Sequence, residues 1–439
     1  MRLRALALGF AAVMVFAACG SSGSKTGSSD TAGAQKLTGT VHVFNAMEPG
    51  EATALQKVVD ADINSKVGYK ALIEQSSDFE TQAKIRIQGG NPPEIILYPQ
   101  PGTVIEQAKA GKAIALEDMG IDVKAMEKTF GSYFMSLAEY NGKHYGVPSN
   151  INLKSMIWYP KKAFDAKGYK IPKTFDELIA LSNQIVKDGA SPWCMGFESG
   201  SATGWPATDW MEDIMLRTAG PVTYDKWVKH EIPFNDPSVK TAGVDFGKIL
   251  FGKGYVLGGA ANTTSINFGD SVQPMFDNPP KCFLHRQANF INSFFPKTAK
   301  AGVDYDWFPF PTMSQPGDSA LFAGEFSTVF KDTPAVRDFI TRFSSTQVQC
   351  DQSKSTATSR ISPNINVGPE CYANPQLAGA SKVLTAALKA GTARFDASDQ
   401  MPSAVGSGSF WTGMVKYIQG GPSSLDGVLN DIEKSWPKS

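Results

Sequence analysis

Hydrophobic positions near the start of the sequence repeat first with a period of two residues and then with the period of a helix. Residues 40–44 alternate as a half-buried strand does, and apolar positions over 52–63 follow at helical spacing. Residues 71–73 and 95–97 predict two further strands, and a helical pattern over 79–87 lies between them. This repeated order predicts an α/β domain around a mostly parallel sheet.

Three loops that directly follow these strands are candidates for a ligand-contacting rim. Ligands of parallel sheets bind beyond the carboxyl ends of the strands, so the loops over 45–48, 76–79 and 98–102 are expected to lie together. Within the first loop, the Glu-Pro-Gly run at 48–50 is interpreted as a turn that precedes the helix.

A second unit is predicted to begin near Val147 and Pro148. Thr174 and Glu177 have the spacing of a capping box, which predicts that a helix begins there and extends to Val186. The aromatic alternation over 305–310 indicates an extended segment that crosses between the units.

The first residues resemble a secretion signal with a lipid-attachment site. Arg2 and Arg4 precede an apolar stretch over 5–18, which is too short for the roughly 20 residues of a membrane-spanning helix. Phe-Ala-Ala-Cys at 16–19 resembles a bacterial lipobox, so residues 1–18 are predicted to be removed and Cys19 lipidated. The Ser/Gly-rich residues 19–37 are then a flexible tether. An ordinary signal peptide is the alternative.

Composition excludes several function classes. The chain has 42 basic and 42 acidic residues, and this balance argues against nucleic-acid binding, which needs a basic face. Only 4 histidines are present, and no phosphate-binding loop, dinucleotide-binding glycine pattern or His-Glu-x-x-His motif occurs, so no metal ion or cofactor is expected. The 8 tryptophans and 27 phenylalanines favour a binding protein for a neutral solute.

Four further cysteines are disulfide candidates in an exported chain. They allow three pairings, and the sequence alone does not choose among them. Cys350 and Cys371 are close in sequence, which favours that pair, and Cys194 with Cys282 then follows. Zinc is the rival explanation, but no Cys-x-x-Cys spacing supports it.

Carboxylates stand near tryptophans in two places. Glu198 precedes the segment over 204–210, which contains Trp205 and Asp209, and the region of Asp396 and Asp399 precedes Phe410-Trp411. Sugars have apolar C–H faces that stack on rings and hydroxyls that bond to acids and amides, so both clusters are typical of a carbohydrate site. Packing of each tryptophan in the core is the alternative interpretation, and Asp396 and Asp399 could equally be structural.

Several segments resemble the extracellular solute-binding proteins of carbohydrate ABC importers, particularly their α-glucoside-binding branch. The resemblance extends from about residue 38 to residue 436 and is most specific over 193–210. The segments are Pro192-Trp193-Cys194, Glu198-Ser199-Gly200, residues 204–210, Leu216-Arg217-Thr218-Ala219-Gly220, Lys281-Cys282, His285-Arg286-Gln287-Ala288, Arg360-Ile361-Ser362-Pro363, residues 398–405 and Gly408-Ser409-Phe410-Trp411.

The resemblance implies an α/β, two-lobed periplasmic-binding-protein-like fold of type II, with a hinge and a ligand cleft between the lobes. The N-terminal lobe would comprise residues 38–147 and 303–355, and the C-terminal lobe residues 148–302 and 356–439. The pairing of Cys194 with Cys282 also fits this group of proteins.

The same resemblance assigns roles to individual residues. Trp205 and Trp411 would be stacking platforms, with Phe410 beside the second. The proposed hydroxyl-bonding groups are Asp78, Glu198, Asp209 and Arg360. The remaining expected contacts are Asn45, Glu48, Tyr98 and Gln100 on the first rim, Gly324, Glu325 and Phe326 on a return segment, and Asn152 near the hinge.

The expected function is that of a monomeric, lipid-anchored binding protein on the extracytoplasmic face of a bacterial membrane. It would capture an α-glucoside or related oligosaccharide by lobe closure and deliver it to the permease subunits, with no catalysis. The alternative is a secreted glycosidase, which would need two carboxylates separated by about 5 Å or about 6.5–9.5 Å across the sugar.

Overall fold

The computed structural model describes residues 37–314, 319–355 and 357–438. Its strands are β1 (Thr40–Asn45), β2 (Lys70–Gln75), β3 (Ile95–Tyr98), β4 (Glu139–Tyr140), β5 (Lys143–His144), β6 (Val147–Leu153), β7 (Met156–Tyr159), β8 (Ser191–Trp193), β9 (Cys282–Arg286), β10 (Asp306–Pro309), β11 (Ala320–Val329) and β12 (Ala393–Phe395).

The α-helices are α1 (Pro49–Asp62), α2 (Phe79–Gln88), α3 (Pro101–Lys109), α4 (Val123–Phe130), α5 (Ser132–Ser136), α6 (Lys161–Ala166), α7 (Phe175–Lys187), α8 (Trp205–Val228), α9 (Pro237–Leu250), α10 (Pro334–Phe343), α11 (Thr346–Ser353), α12 (Pro375–Ala390), α13 (Ala397–Gln400), α14 (Trp411–Gly420) and α15 (Leu425–Lys434).

The first sheet has the order β12-β11-β3-β1-β2, and β6 pairs with β11 as a sixth strand. The predicted parallel core is present, because β1 pairs in parallel with both β2 and β3. The long strand β11 departs from the parallel prediction, since it runs antiparallel to β3 and to β6. Every residue of β3 is buried, which is typical of a strand covered on both faces.

The second sheet has the order β10-β7-β9-β8, and of its strand pairs only β8–β9 is parallel. Strand β10, which was assigned to the N-terminal lobe, lies in this sheet beside β7. Strand β12, which was assigned to the C-terminal lobe, lies in the first sheet beside β11. Both pairings cross the predicted lobe boundaries, which themselves stay a prediction.

Helix starts follow from local sequence. The Glu-Pro-Gly run interpreted as a turn is instead the first turn of α1, because Pro49 suits the first helical position and Glu48 and Glu51 form a reciprocal capping box. Thr174 accepts a hydrogen bond from the backbone N of Glu177 at 3.2 Å and so caps α7 as predicted.

Buried hydrophobic side chains join the helices to both sheets. Leu55 and Val59 of α1 share one cluster with Phe339 of α10. Trp210 of α8 belongs to a second cluster with helices α7, α9, α14 and α15, and Phe322 of β11 to a third. These clusters fix the loops that follow the strands, because each helix is held against its sheet.

Both predicted disulfides are confirmed. Cys194 is bonded to Cys282 with their Cα atoms 5.5 Å apart, and Cys350 is bonded to Cys371 at 4.9 Å. Within the described ranges, each helix is too short or too polar to cross a bilayer. The predicted signal peptide, Cys19 and all of the tether except Leu37 lie outside the described residues.

Candidate ligand-binding site

A cavity of about 650 Å³ lies among the loops that follow the strands. This volume is within the range of small-molecule sites. Eleven of the fifteen predicted contact residues line it, and their role in binding stays a prediction. These are Glu48, Asp78, Gln100, Asn152, Glu198, Trp205, Asp209, Gly324, Glu325, Arg360 and Trp411.

The first rim comes from loops that follow β1, β2 and β3, as the parallel sheet predicts. The cavity lining includes residues 46–48 after β1, 76–78 after β2 and 99–100 after β3. Asn45, the last residue of β1, is fully buried and does not line the cavity. Its Oδ1 accepts a hydrogen bond from the backbone N of Met47 at 2.9 Å, so it shapes the loop.

One set of lining residues, here called the charged wall, consists of Glu48, Glu51, Asn150, Glu325 and Arg360. Nη2 of Arg360 donates to Oε2 of Glu325 at 2.6 Å, and Nε of Arg360 has no hydrogen-bond partner among the described residues. Burial, with the neighbouring Glu325 carboxylate, raises the pKa of Glu51 to about 8. Glu51 is therefore mostly protonated at neutral pH.

A second set, the aromatic wall, consists of Trp205, Phe268, Phe290, Phe294 and Trp411. The ring centroid of Trp205 lies 5.2 Å from that of Phe268 and 6.0 Å from that of Phe290, and Phe268 lies 5.4 Å from Phe294. These distances are typical of edge-to-face and tilted aromatic pairs. The wall offers apolar ring surface to a ligand.

A glycine brings the two tryptophans of this wall together. Gly204 has φ +110°, a region that favours glycine, and it immediately precedes Trp205. A Cβ at this position would lie 2.2 Å from the carbonyl O of Trp411, so only glycine permits this approach. The indole Nε1 of Trp411 is buried and has no hydrogen-bond partner among the described residues.

Beside the aromatic wall lies a buried ionic cluster centred on Lys154. Nζ of Lys154 donates to Oδ1 of Asp209 at 2.7 Å and to Oδ2 of Asp396 at 2.6 Å. Although burial opposes the charge of the ammonium, these carboxylates raise the pKa of Lys154. Burial raises the pKa of Asp209, whereas Lys154 outweighs burial at Asp396 and lowers the pKa of that carboxyl.

Asp396 also positions the short helix α13. Its Oδ1 accepts hydrogen bonds from Oγ of Ser398 at 2.8 Å and from the backbone N of Asp399 at 2.9 Å. Asp396 is thus structural, while Asp399 lines the cavity. Burial, with the nearby Asp396 carboxylate, raises the pKa of Asp399 well above its ordinary value.

Two carboxylates are held by the loop that precedes α8. Glu198 accepts from the backbone N of Gly200 at 2.7 Å and from Nδ2 of Asn267 at 2.9 Å. Oγ of Ser201 donates to Oδ1 of Asp78 at 2.8 Å, and this hydrogen bond lowers the pKa of Asp78. The loop after β2 therefore contacts the loop before α8 at the edge of the cavity.

Four of the predicted contact residues do not line the described cavity. One is Asn45, discussed above, and the other three are aromatic. Tyr98 is buried against Phe79, with the ring centroids 5.7 Å apart. Phe326 follows Glu325 on β11, and successive strand residues point to opposite faces, so Phe326 packs in the core. Phe410 is fully buried, 4.8 Å from the ring of Phe234, because neighbouring helical residues face different directions.

Sequence reasoning missed several lining residues. Asn150, Asn152 and Lys154 alternate with apolar Ile151 and Leu153, and this period of two could have shown that one face of β6 is polar. Only Asn152 of this face was selected. No local signal identified Glu51, Phe268, Phe290 or Phe294, because tertiary packing brings them to the cavity.

Eight carboxylates and two cationic side chains line the described part of the cavity. The carboxylates are Glu48, Glu51, Asp78, Glu80, Glu198, Asp209, Glu325 and Asp399, and the cations are Lys154 and Arg360. Ion pairing and raised pKa values remove much of this negative charge. Among the described residues, no group of three or more metal-ligating side chains is placed to hold a metal ion.

Comparison with known proteins gives strong sequence similarities. The family described as bacterial extracellular solute-binding protein matches residues 48–349. The alpha-glucosides-binding periplasmic protein AglE of Rhizobium meliloti is 42% identical over 395 residues, covering 88% of this chain and 85% of that protein. The osmoprotective compounds-binding protein GgtB of Synechocystis is 40% identical over 382 residues, covering 86% and 88%.

Solved structures show the same fold at much lower identity. The bacterial solute receptor AcbH, described as having an exclusive preference for β-D-galactopyranose, gives a TM-score of 0.74 at 18% identity, covering 90% of this chain and 98% of that one. A chitin oligosaccharide binding protein gives 0.73 at 18% identity, covering 91% and 98%. The predicted α/β, two-lobed fold is thereby confirmed.

Proposed function

Because the chain belongs to the bacterial extracellular solute-binding proteins, we propose that its cavity captures an α-glucoside and delivers it to the permease of an ABC importer. The family relationship predicted from the sequence is confirmed by the match over residues 48–349. Proteins of this family and the relatives above are binding components of transporters. The chain is accordingly a binding protein, and the glycosidase alternative is not retained.

The observation that carries the ligand proposal is the combination of an aromatic wall with unpartnered buried polar atoms in one cavity. Asn150 Oδ1, Arg360 Nε and Trp411 Nε1 are buried and lack hydrogen-bond partners among the described residues. Leaving such atoms unpaired costs about 1–3 kcal/mol each. A hydroxyl both donates and accepts, so a polyhydroxylated ligand is suited to pair with these polar lining residues while its C–H faces stack on the rings.

The charge state of the cavity favours an uncharged ligand. The cations Lys154 and Arg360 are each paired with carboxylates. Burial raises the pKa of Glu51 to about 8, so Glu51 is mostly protonated at neutral pH and can donate a hydrogen bond to a sugar oxygen, and burial also raises the pKa of Asp399. A neutral glucoside uses these groups without placing a net charge in the cavity.

The most specific part of the proposal concerns the linkage and the size of the glucoside. The name of AglE gives α-glucosides as its ligands, whereas the name of GgtB gives osmoprotective compounds. The cavity volume of about 650 Å³ suits a ligand larger than a single monosaccharide. A disaccharide with an α-linked glucose fits both considerations.

Capture would proceed by closure of the two predicted lobes, residues 38–147 with 303–355 and residues 148–302 with 356–439. The Asp78–Ser201 hydrogen bond joins segments of these two lobes at the cavity edge, which supports a ligand held between them. The proposal includes a monomer that presents both lobes to the permease.

The proposal also includes attachment to the membrane through a lipid on Cys19. Cells grown with a radiolabelled fatty acid should label the wild-type chain and not the Cys19→Ala variant. Cys19→Ser, which keeps the size of the side chain, should also stay unlabelled. Equal labelling of wild type and variants would overturn the anchor without affecting the ligand proposal.

Calorimetric titration of the purified chain with maltose, trehalose and sucrose tests the ligand. Cellobiose, the β-linked counterpart of maltose, is the matched control. We expect at least one α-linked disaccharide to bind and to raise the Tm, with about 2.7 kcal/mol of stabilisation at a hundredfold excess over Kd. Binding of cellobiose in preference to every α-linked sugar would overturn the α-glucoside assignment.

A further inference from the structure

Lys154 lies where the chain crosses between the two sheets. It follows β6 in the first sheet, and only Ser155 separates it from β7 in the second. The backbone N of Lys154 donates to the carbonyl O of Leu321 at 2.8 Å, and Oγ of Ser155 donates to Oδ1 of Asp213 at 2.8 Å. These two hydrogen bonds hold the crossing segment in place, and they therefore also fix the position of the Lys154 backbone from which the side chain extends.

The ammonium of Lys154 occupies a place with three attractive neighbours. Its Nζ contacts the carboxylates of Asp209 and Asp396 and lies 5.2 Å from the ring centroid of Trp205. The Lys154 side chain is only 7% exposed, so water screens these interactions weakly. An aromatic face with two adjacent carboxylates is also an environment that favours binding of a cationic ligand.

The rest of the described lining is rich in acidic and aromatic side chains. Carboxyl groups outnumber cationic side chains eight to two, although Glu51 is mostly protonated at neutral pH, and Phe268 and Phe290 extend the ring surface beside Trp205. Without the Lys154 ammonium, Asp209 would keep only Arg286, whose Nη1 lies 3.5 Å from Oδ2, as a nearby cation. Lys154 is therefore the cation closest to the carboxylate of Asp209 among the described residues.

We propose that Lys154 is a specificity-determining residue that fills the cation position beside Trp205 and thereby excludes alkylammonium solutes in favour of neutral ones. The inference rests on the proposed function, because it assumes that this cavity binds the solute. It adds a reason why an acid-rich, aromatic cavity selects an uncharged ligand. It also predicts that loss of this single side chain reverses the preference.

Choline, a small quaternary ammonium compound, is the probe, and maltose, trehalose and sucrose are the neutral ligands. Calorimetry and thermal shift are run on the full chain as wild type and as Lys154→Met. Wild type should bind a disaccharide and show no Tm shift with choline. Lys154→Met should bind choline at least about tenfold more tightly than wild type, which is the scale of a desolvated cation–π contact.

Two further variants separate this role from a structural one. Lys154→Arg keeps a cation beside Trp205 and should continue to exclude choline. Lys162→Met removes an exposed lysine that pairs with Asp304 outside the cavity, and it should behave as wild type toward both ligands. Lys154→Met leaves the carboxylates of Asp209 and Asp396 without their lysine. If this variant does not fold, the double variant Lys154→Met/Asp396→Asn, which removes one of these two carboxylates, is used instead.

The outcomes distinguish this inference from the proposed function. Choline binding by wild type overturns the inference, and this measurement needs no variant. A folded Lys154 variant that gains no choline affinity also overturns it, even where wild type binds the disaccharides. Failure of every disaccharide to bind wild type overturns the proposed function, whereas a gain of choline binding in Lys154→Met still supports the role of Lys154 in cation exclusion.

Discussion

The charged wall and the aromatic wall line the same cavity but are held in place by different interactions. In the charged wall, Arg360 and Glu325 are joined by a hydrogen bond of 2.6 Å, and the Arg360 side chain is only 4% exposed. In the aromatic wall, ring centroids lie 5.2 to 6.2 Å apart, with no hydrogen bond between the rings. Ligand contacts with the charged wall therefore depend on hydrogen-bond direction and on protonation. Contacts with the aromatic wall depend on the shape of the ligand.

This difference assigns separate tasks to the two walls. A buried charge pair discriminates strongly, because a ligand that leaves either partner unsatisfied meets a large desolvation cost. Aromatic rings accept the C–H face of many sugars, so they contribute affinity with little discrimination between linkages. We therefore expect pH to act mainly through the charged wall, and ring truncation to weaken all ligands of the aromatic wall alike.

Glu51→Gln tests the protonation of the charged wall and has the larger expected effect. The folded-state pKa of Glu51 is about 8, above its ordinary value of 4.5. The folded state therefore binds more protons than the unfolded state between these values, and stability is full below 4.5 and falls as pH rises toward 8. This slope is at most about 1.4 kcal/mol per pH unit, and Glu51→Gln should remove the part due to Glu51.

The measurement is the free energy of unfolding in urea between about pH 5 and pH 8. Glu94→Gln is the control with the opposite sign, because Lys331 and the backbone N of His42 outweigh burial and lower the pKa of Glu94. Its stabilisation is nearly complete at pH 5, so the Glu94→Gln curve should run almost parallel to that of wild type. Equal slopes for wild type and Glu51→Gln would contradict the assignment of a protonated Glu51.

The contrast between the walls also explains what could be predicted from the sequence. Residues 40–110 have regular periods, because each strand and helix there buries one face against its neighbours, and the rim loops after β1, β2 and β3 followed from this pattern. Glu48 and Gln100 were found for that reason. Trp205 and Trp411 were indicated by their carboxylate neighbours and by a family resemblance, whereas the close approach of Gly204 to Trp411 has no local signal in the sequence.

The remaining site residues depend on pairings that no local pattern encodes. Glu51 was missed because it reads as an ordinary polar position in the first turn of a helix. Phe326 and Phe410 do not line the cavity, because a neighbouring residue faces it while their own side chains are buried in the core. A residue's direction depends on strand register or helix phase, and an error of one position reverses it or turns it by about 100°.

Truncation of the aromatic wall has the smaller expected effect and completes the comparison. Trp205→Ala and Trp411→Ala should each weaken binding of the disaccharide by about 1 kcal/mol or more, roughly fivefold in Kd, because each removes a stacking face. Trp436→Ala is the matched control, since Trp436 stacks on His230 at 4.0 Å and does not line the cavity. Calorimetry with each α-linked sugar that binds gives the ratio of its affinities for variant and wild type.

If the aromatic wall acts by shape alone, the loss of affinity in each variant should be similar for all of these sugars. A loss confined to one linkage would show that the rings also discriminate, and unchanged affinity in both variants would place these tryptophans in the core.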